Sequence, residues 1–187
     1  RALAEWIIQG EPTMDLSDVD IARYHPFQVN SKYLHDRAGE SLGAIYHMHW
    51  PNRQRETSRP VRKSLLHDRL AACNACFGET AGWERAMWFA PPGVTPKDIY
   101  SHHWPNWYEH TAQECRAARE GVVVLDQSSF GKILIQGADA CVFLQHLCAG
   151  DVDVPVGKLI YTQLLNHRGG IEADITVDRL AADRYMI

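Results

Sequence analysis

The residues best placed to do chemistry lie on one hairpin, Lys158 to Val177. Its second strand, Ile171-Glu172-Ala173-Asp174-Ile175-Thr176-Val177-Asp178, alternates with period two. That pattern sets Ile171, Ala173, Ile175 and Val177 on one face and Glu172, Asp174, Thr176 and Asp178 on the other. Asp174 stands mid-strand in the polar row, where a fixed carboxylate can accept a proton or offset a positive charge. The same row also reads as the wet side of a half-buried strand, because antiparallel sheets often leave one face to solvent. The preceding run, 158–166, has strand length, and His167-Arg168-Gly169-Gly170 is a turn whose glycines can take positive φ.

Other reactive side chains form weaker patterns. Cys73 and Cys76 have metal or redox spacing, but a zinc site needs a second ligand pair, and Cys148 alone does not supply it. His47 and His49 alternate as on a strand and His102 and His103 are adjacent, with no H-E-x-x-H spacing. The sequence therefore predicts no metal. Arg59 has the fork to grip a substrate carboxylate, although a surface or interdomain salt bridge is the competing reading. Trp83, Trp88, Phe89, Trp104, Trp107 and Tyr108 can stack on a flat ring or simply fill a core.

Composition narrows the classes. Of 187 residues, 45% are hydrophobic and 22% charged, ordinary values for a chain that buries a core. A net charge of -4 gives no basic field for nucleic acid, and Arg53, Arg55, Arg59, Arg62 and Lys63 are only a local cluster. No apolar run approaches the ~18 residues of a membrane helix. Five cysteines without framework spacing suit a reducing compartment. The chain opens on Arg1 inside an amphipathic helix, not a secretory leader, and ends at Ile187 inside a strand, so it reads as a window on a longer polypeptide.

The elements that position these residues follow from local signals. Leu3, Trp6 and Ile7 have helical spacing, and Gly10 ends that helix with a left-handed cap. Ser17 or Asp18 caps a short turn through Ile21, and Asn30 or Ser31 caps a helix running from Lys32 to about Met48. Pro51, Asn52 and Pro60 break the segment 47–62. A short helix over 64–72 precedes two strands around a glycine turn at Gly82, and another helix covers 107–121 with Glu109, Glu114, Arg116, Arg119 and Glu120 solvated. Val122 to Leu125 reads as a buried strand, and Lys132 to Gln136 as a second. A helix over 139–147 turns Val142, Phe143, Leu144, His146 and Leu147 inward. Hairpin joins predict an α+β fold, not a doubly wound parallel sheet. No G-x-G-x-x-G occurs, so a flavin diphosphate cradle belongs before residue 1.

Tyr161-Thr162, Leu165-Asn166, Gly169-Gly170 and Asp174 resemble the YT-x-x-LN-x-x-GG-x-x-x-D stretch of the folate-dependent aminomethyltransferases, the T-protein of the glycine cleavage system and its relatives. Gly82-Trp83-Glu84, the helix-like 114–120, 125–131, Gln136 to Asp139 and Cys148 to Val152 follow in the same order. Two upstream stretches are similar to dimethylglycine and sarcosine dehydrogenases. One runs from Ala2 to Leu16 and on through 18–23; the other is Tyr46 to Pro60, with Trp50-Pro51-Asn52-Arg53 and Glu56-Thr57-Ser58-Arg59-Pro60.

The resemblance implies the end of an FAD oxidoreductase domain (1–16), a linking domain (17–70) and the start of a partial, antiparallel-sheet aminomethyltransferase-like domain (71–187). It implies an FAD-dependent oxidative N-demethylase of methylated glycines that hands the one-carbon unit to tetrahydrofolate, inactive as an isolated fragment. Asp174 would be the catalytic carboxylate, in a cavity for a reduced pterin, with Tyr161, Thr162 and Glu172 in the folate pocket. FAD would be held mainly by residues ahead of Arg1. The implied partners are a methylated amine and tetrahydrofolate, with no nucleic acid or membrane, in a bacterial cytoplasm or a mitochondrial matrix. Many T-proteins carry a second aspartate just before the matched one; here it is Ala173, which favours the dehydrogenase branch. A non-enzymatic regulatory homologue, as in the pyruvate dehydrogenase phosphatase regulatory subunit, and a free-standing aminomethyltransferase remain the alternatives.

Overall fold

A computed structural model describes residues 1–16 and 19–187. The cap expected at Ser17 or Asp18 lies outside the described residues. The chain forms two compact units, 1–129 and 130–187.

In the first unit, α1 (Ala2–Gln9) stops where Gly10 takes φ 79° and donates its N–H to Trp6 O. The short 3-10 turn Ile21–Arg23 is capped by Asp20, which accepts from Ala22 N at 2.8 Å. α2 (Ser31–Ile45) starts at Asn30, whose side-chain oxygen accepts from Lys32 N and Tyr33 N at 3.0 and 3.1 Å. The helix ends three residues short of the expected Met48. Tyr46 and Met48 are both exposed, so no buried face remains to carry it further.

α3 (His67–Ala72) leads into the hairpin β1 (Ala75–Thr80) and β2 (Trp83–Phe89), with α4 (Tyr108–Glu120) packed on β2. The turn is Ala81-Gly82, with φ of 49° and 81°, the double positive φ that a twisted two-residue hairpin demands. A Cβ at Gly82 would meet the Phe27 ring at 2.7 Å. Arg62 continues the hairpin, donating to Gly82 O and accepting from Glu84 N, and its guanidinium lies 5.2 Å from the Phe27 ring and 5.8 Å from that of Trp83. The core is Cys76, Trp88 and Ala90 backed by Trp107; Trp88 Nε1 donates to Asp98 at 2.8 Å. Core packing thus accounts for Trp88.

Two expectations fail here. Glu114 is not simply solvated: it accepts Phe89 N at 2.8 Å and ties α4 to β2. Val122 to Leu125 is no strand, and Val122 is 97% exposed. A buried strand needs partners along both edges and cover on both faces, and no described segment supplies them.

The second unit is a four-stranded antiparallel sheet in the order β3 (Leu134–Gln136), β6 (Arg184–Met186), β5 (Ile171–Ala181), β4 (Leu159–Leu165). α5 (Ala140–Leu147) contacts β6 and contributes Ala140 and Leu144 to a core with Val152, Val177 and Tyr185. The inward set expected for this helix was too wide. Ala140 and Leu144 share a stripe four residues apart, whereas Val142, Phe143 and His146 lie off it and are exposed. Ile133 and Ile187 exchange two backbone hydrogen bonds that prolong the β3–β6 pairing. Arg179 locks the 151–155 approach to the sheet, donating to Asp153 at 2.5 Å and to Val154 O at 2.7 Å. No described helix is long and apolar enough to cross a membrane.

Candidate functional site

The pairing of β4 with β5 sets Tyr161 opposite Thr176, Thr162 opposite Ile175 and Gln163 opposite Asp174. With side chains alternating, the outer face carries Tyr161 and Gln163 beside Glu172, Asp174 and Thr176. Asp174, Glu172 and Thr176 are exposed, as is Tyr161 at 64%. Tyr161 stands diagonally across the ladder from Asp174, and interaction with that carboxylate pushes the phenol above its ordinary range, against a smaller opposing effect from Gln163. Tyr161 therefore stays protonated through the neutral range and offers a donor beside Asp174. Together they make a carboxylate with a phenolic donor beside it on an open sheet face. The cavity expected at Asp174 is not built by this hairpin alone.

The structure separates the four sequence candidates. Tyr161 and Asp174 come together. Glu172 shares their face but is held by the turn, accepting from Asn166 Nδ2 at 2.6 Å. Asn166 also accepts from Arg168 N and Gly170 N, and a Cβ at Gly170 would lie 2.8 Å from its amide nitrogen. The Asn166, Gly169 and Gly170 signature is thus a turn that fixes hairpin register.

Thr162 must be reassigned. It points to the opposite face, is 2% exposed, and accepts from Gly150 N at 2.9 Å. The cause is strand alternation: if residue 161 faces out, residue 162 faces in. Its role is to clamp 148–151 onto β4, where Ala149 N also donates to Gln163 O and Cys148 bridges Leu164. Gln163 shares the face of Tyr161 by alternation, but its place across from Asp174 follows only from the register between the strands.

Arg59 is committed to a salt bridge. Its Nε and Nη2 grip the two Glu84 oxygens at 2.8 and 2.5 Å, while Nη1 and Nη2 also donate to Arg55 O and Phe77 O. No guanidinium hydrogen-bonding edge is left for a substrate carboxylate. Burial and the neighbouring Asp98 push the Cys76 thiol up to about 12, which keeps it from acting as a thiolate. Among the described residues, no group of three or more His, Cys, Asp or Glu is placed to hold a metal ion. Among the described residues, no glycine loop joins a strand to a helix N-terminus in the way a dinucleotide needs, so they do not fit the diphosphate of FAD.

Residues 66–187 match the family described as the GCVT N-terminal domain, and residues 9–64 match the FAD dependent oxidoreductase central domain. Across 187 residues the chain is 48% identical to 4-methylaminobutanoate oxidase (formaldehyde-forming) of Paenarthrobacter nicotinovorans, covering 100% of this chain and 23% of that protein. It is 34% identical to human mitochondrial sarcosine dehydrogenase, covering 97% of the chain and 22% of the relative. It is 36% identical to the mouse mitochondrial pyruvate dehydrogenase phosphatase regulatory subunit, covering 100% and 22%. The chain thus spans under a quarter of these relatives. Among solved structures it is similar to the glycine cleavage system aminomethyltransferase T of Bartonella henselae, with a TM-score of 0.53 and 25% identity over 67% of this chain and 30% of that one.

The two matched stretches meet near residue 65, whereas the compact units part at 129/130. Nonlocal ion pairs explain the offset. Arg37 with Glu79 at 2.6 Å, and Arg59 with Glu84, tie β1 and β2 to the segment before them. With the hairpin geometry, the T-protein-like fold and both domain matches in agreement, the chain belongs to the dimethylglycine/sarcosine dehydrogenase-like flavoprotein family, joining the FAD-dependent oxidoreductase central domain to the GCVT N-terminal domain.

Proposed function

We propose that this chain is part of an FAD-dependent oxidative N-demethylase of methylated glycines, and that its hairpin helps pass the one-carbon unit to tetrahydrofolate. The observation that carries the reading is the Tyr161–Asp174 pair on the outer face of β4–β5, within the stretch that matches the GCVT domain. An exposed carboxylate with a phenol beside it keeps free lone pairs, and this suits it to an amine or a cationic carbon. Tetrahydrofolate, when bound, supplies the nucleophilic amine. Asp174 would hold that amine, take its proton as the carbon–nitrogen bond forms, and offset the positive charge of the incoming unit. Tyr161 would orient the Asp174 carboxylate by its hydroxyl donation. Glu172, anchored by Asn166, would face the same ligand from the turn.

A second reading is favoured by the 48% identity to a relative named as a formaldehyde-forming oxidase of 4-methylaminobutanoate. In that case the amine is a longer amino acid and the one-carbon unit leaves as formaldehyde. The relative named as a phosphatase regulatory subunit supports a third, without oxidation. One experiment separates the three. The full-length parent is mixed without oxygen with sarcosine, dimethylglycine or 4-methylaminobutanoate, its flavin absorbance is followed, and products are assayed with and without tetrahydrofolate. The proposal expects bleaching by a methylated glycine and methylenetetrahydrofolate in place of formaldehyde when folate is present. Bleaching by 4-methylaminobutanoate alone with formaldehyde throughout selects the second reading, and no bleaching by any amine selects the third.

A further inference from the structure

The segment 46–60 carries the Trp50-Pro51-Asn52-Arg53 signature, and the hairpin site makes no use of it. It is irregular yet firmly held. Glu40 accepts from Glu56 N at 2.8 Å, Thr57 N at 3.0 Å and the Thr57 hydroxyl. Burial alone would raise the Glu40 pKa, but these donors and nearby Arg37 bring it below the usual range. At its far end Arg59 donates to Arg55 O, and in the middle Gln54 N donates to the Tyr100 hydroxyl at 3.0 Å while Glu79 N donates to the Gln54 side chain at 2.8 Å. Asn52 sits at φ 60°, turning the chain sharply just before Arg53.

What this frame presents is two guanidiniums, those of Arg53 and Arg55. Neither the Arg53 nor the Arg55 side chain makes an ion pair or hydrogen bond among the described residues. Both line a cavity of about 340 Å³ at the C-terminal end of α2, with Ala44, Ile45, Met48 and Trp50 as its apolar wall and no carboxylate in its lining. Trp50 is itself set in place, its ring stacked 6.0 Å from Tyr100 and tilted at 53° against His102, 4.7 Å away.

We propose that Arg53, Arg55 and Trp50 form a binding site for a small organic carboxylate carrying an aromatic or other apolar body. Guanidinium forks match carboxylates in geometry as well as charge, and a loop fixed beforehand spends little ordering entropy on capture. The volume is at the lower end of the range for small-molecule sites and holds one such molecule. Neighbouring Glu56 and Asp98 border an adjoining hollow on the other side of Trp50 and Arg53, and they bias the anion toward the Arg55 side.

The test uses the full-length parent with two probes of one shape, 1-naphthoate and the neutral 1-naphthylmethanol, measured by equilibrium dialysis. Naphthoate is expected to bind roughly tenfold tighter than the alcohol. That preference should vanish in R53Q/R55Q, persist in weakened form in R53K/R55K, and fall away with added salt, with circular dichroism of each variant unchanged. Equal affinity for the two probes overturns the proposal, as does undiminished naphthoate binding by R53Q/R55Q. Absence of naphthoate binding to the parent overturns it too, since the arginines would then be covered by another part of the same polypeptide.

Discussion

Glu84→Ala is expected to destabilise the first unit by about 3–5 kcal/mol, the usual consequence of leaving one member of a buried ion pair without its partner. The Glu84 side chain is 5% exposed and that of Arg59 is 14%, so water replaces the lost bonds only in part. Glu84 stands in β2 and Arg59 in the irregular segment before the hairpin, so the pair closes 25 residues of chain. Removing Glu84 strands a guanidinium that also organises Arg55 O and Phe77 O. The double change Arg59→Met with Glu84→Leu should recover most of the loss, because buried ion pairs are often replaceable by apolar groups of similar size. Urea unfolding of the three proteins, read by tryptophan fluorescence, checks both statements. A loss under about 1 kcal/mol for Glu84→Ala would mean that the pair is wet and its contribution that of a surface bridge.

Asp174→Asn in the parent protein is expected to leave flavin reduction by the amine substrate unchanged while folate-dependent capture of the one-carbon unit falls by about two to four orders of magnitude. Asparagine preserves the shape of an exposed side chain, so the sheet should be undisturbed. What it removes is the negative charge and the basic oxygen. The lost one-carbon unit should appear as free formaldehyde, so the two product yields report the partition directly. Equal loss of flavin reduction and capture would assign the aspartate a role in folding or in the amine step instead.

How much of this was legible in the sequence depended on how local the signal was. The cap at Asn30, the left-handed Gly10, the hairpin turn at Gly82 and the alternation in 171–178 each arise within a few residues, and each matches the structure. The Asp174 row was readable for that reason. Its partner Gln163 was not assigned, because naming it requires the register between strands, which a bulge between Leu164 and Leu165 shifts by one residue near the turn. Motif membership puts Thr162 in the folate pocket, whereas its parity with Tyr161 sets it on the other face. Val122 to Leu125 looked like a strand by composition, but β structure depends on a partner that composition does not name. The Glu84–Arg59 pair and the Glu114 contact to Phe89 N were also silent, since each joins residues 25 apart through tertiary packing.

The central claim is that the outer face of β4–β5 meets the folate. Carbodiimide-driven amide labelling of Asp174 in the full-length parent, quantified by mass spectrometry with and without saturating 5-formyltetrahydrofolate, tests it most directly. The account predicts that labelling of Asp174 drops several-fold when the folate is bound, while exposed Asp68 in the first unit is labelled as before. Equal labelling of Asp174 with the folate demonstrably bound would contradict it.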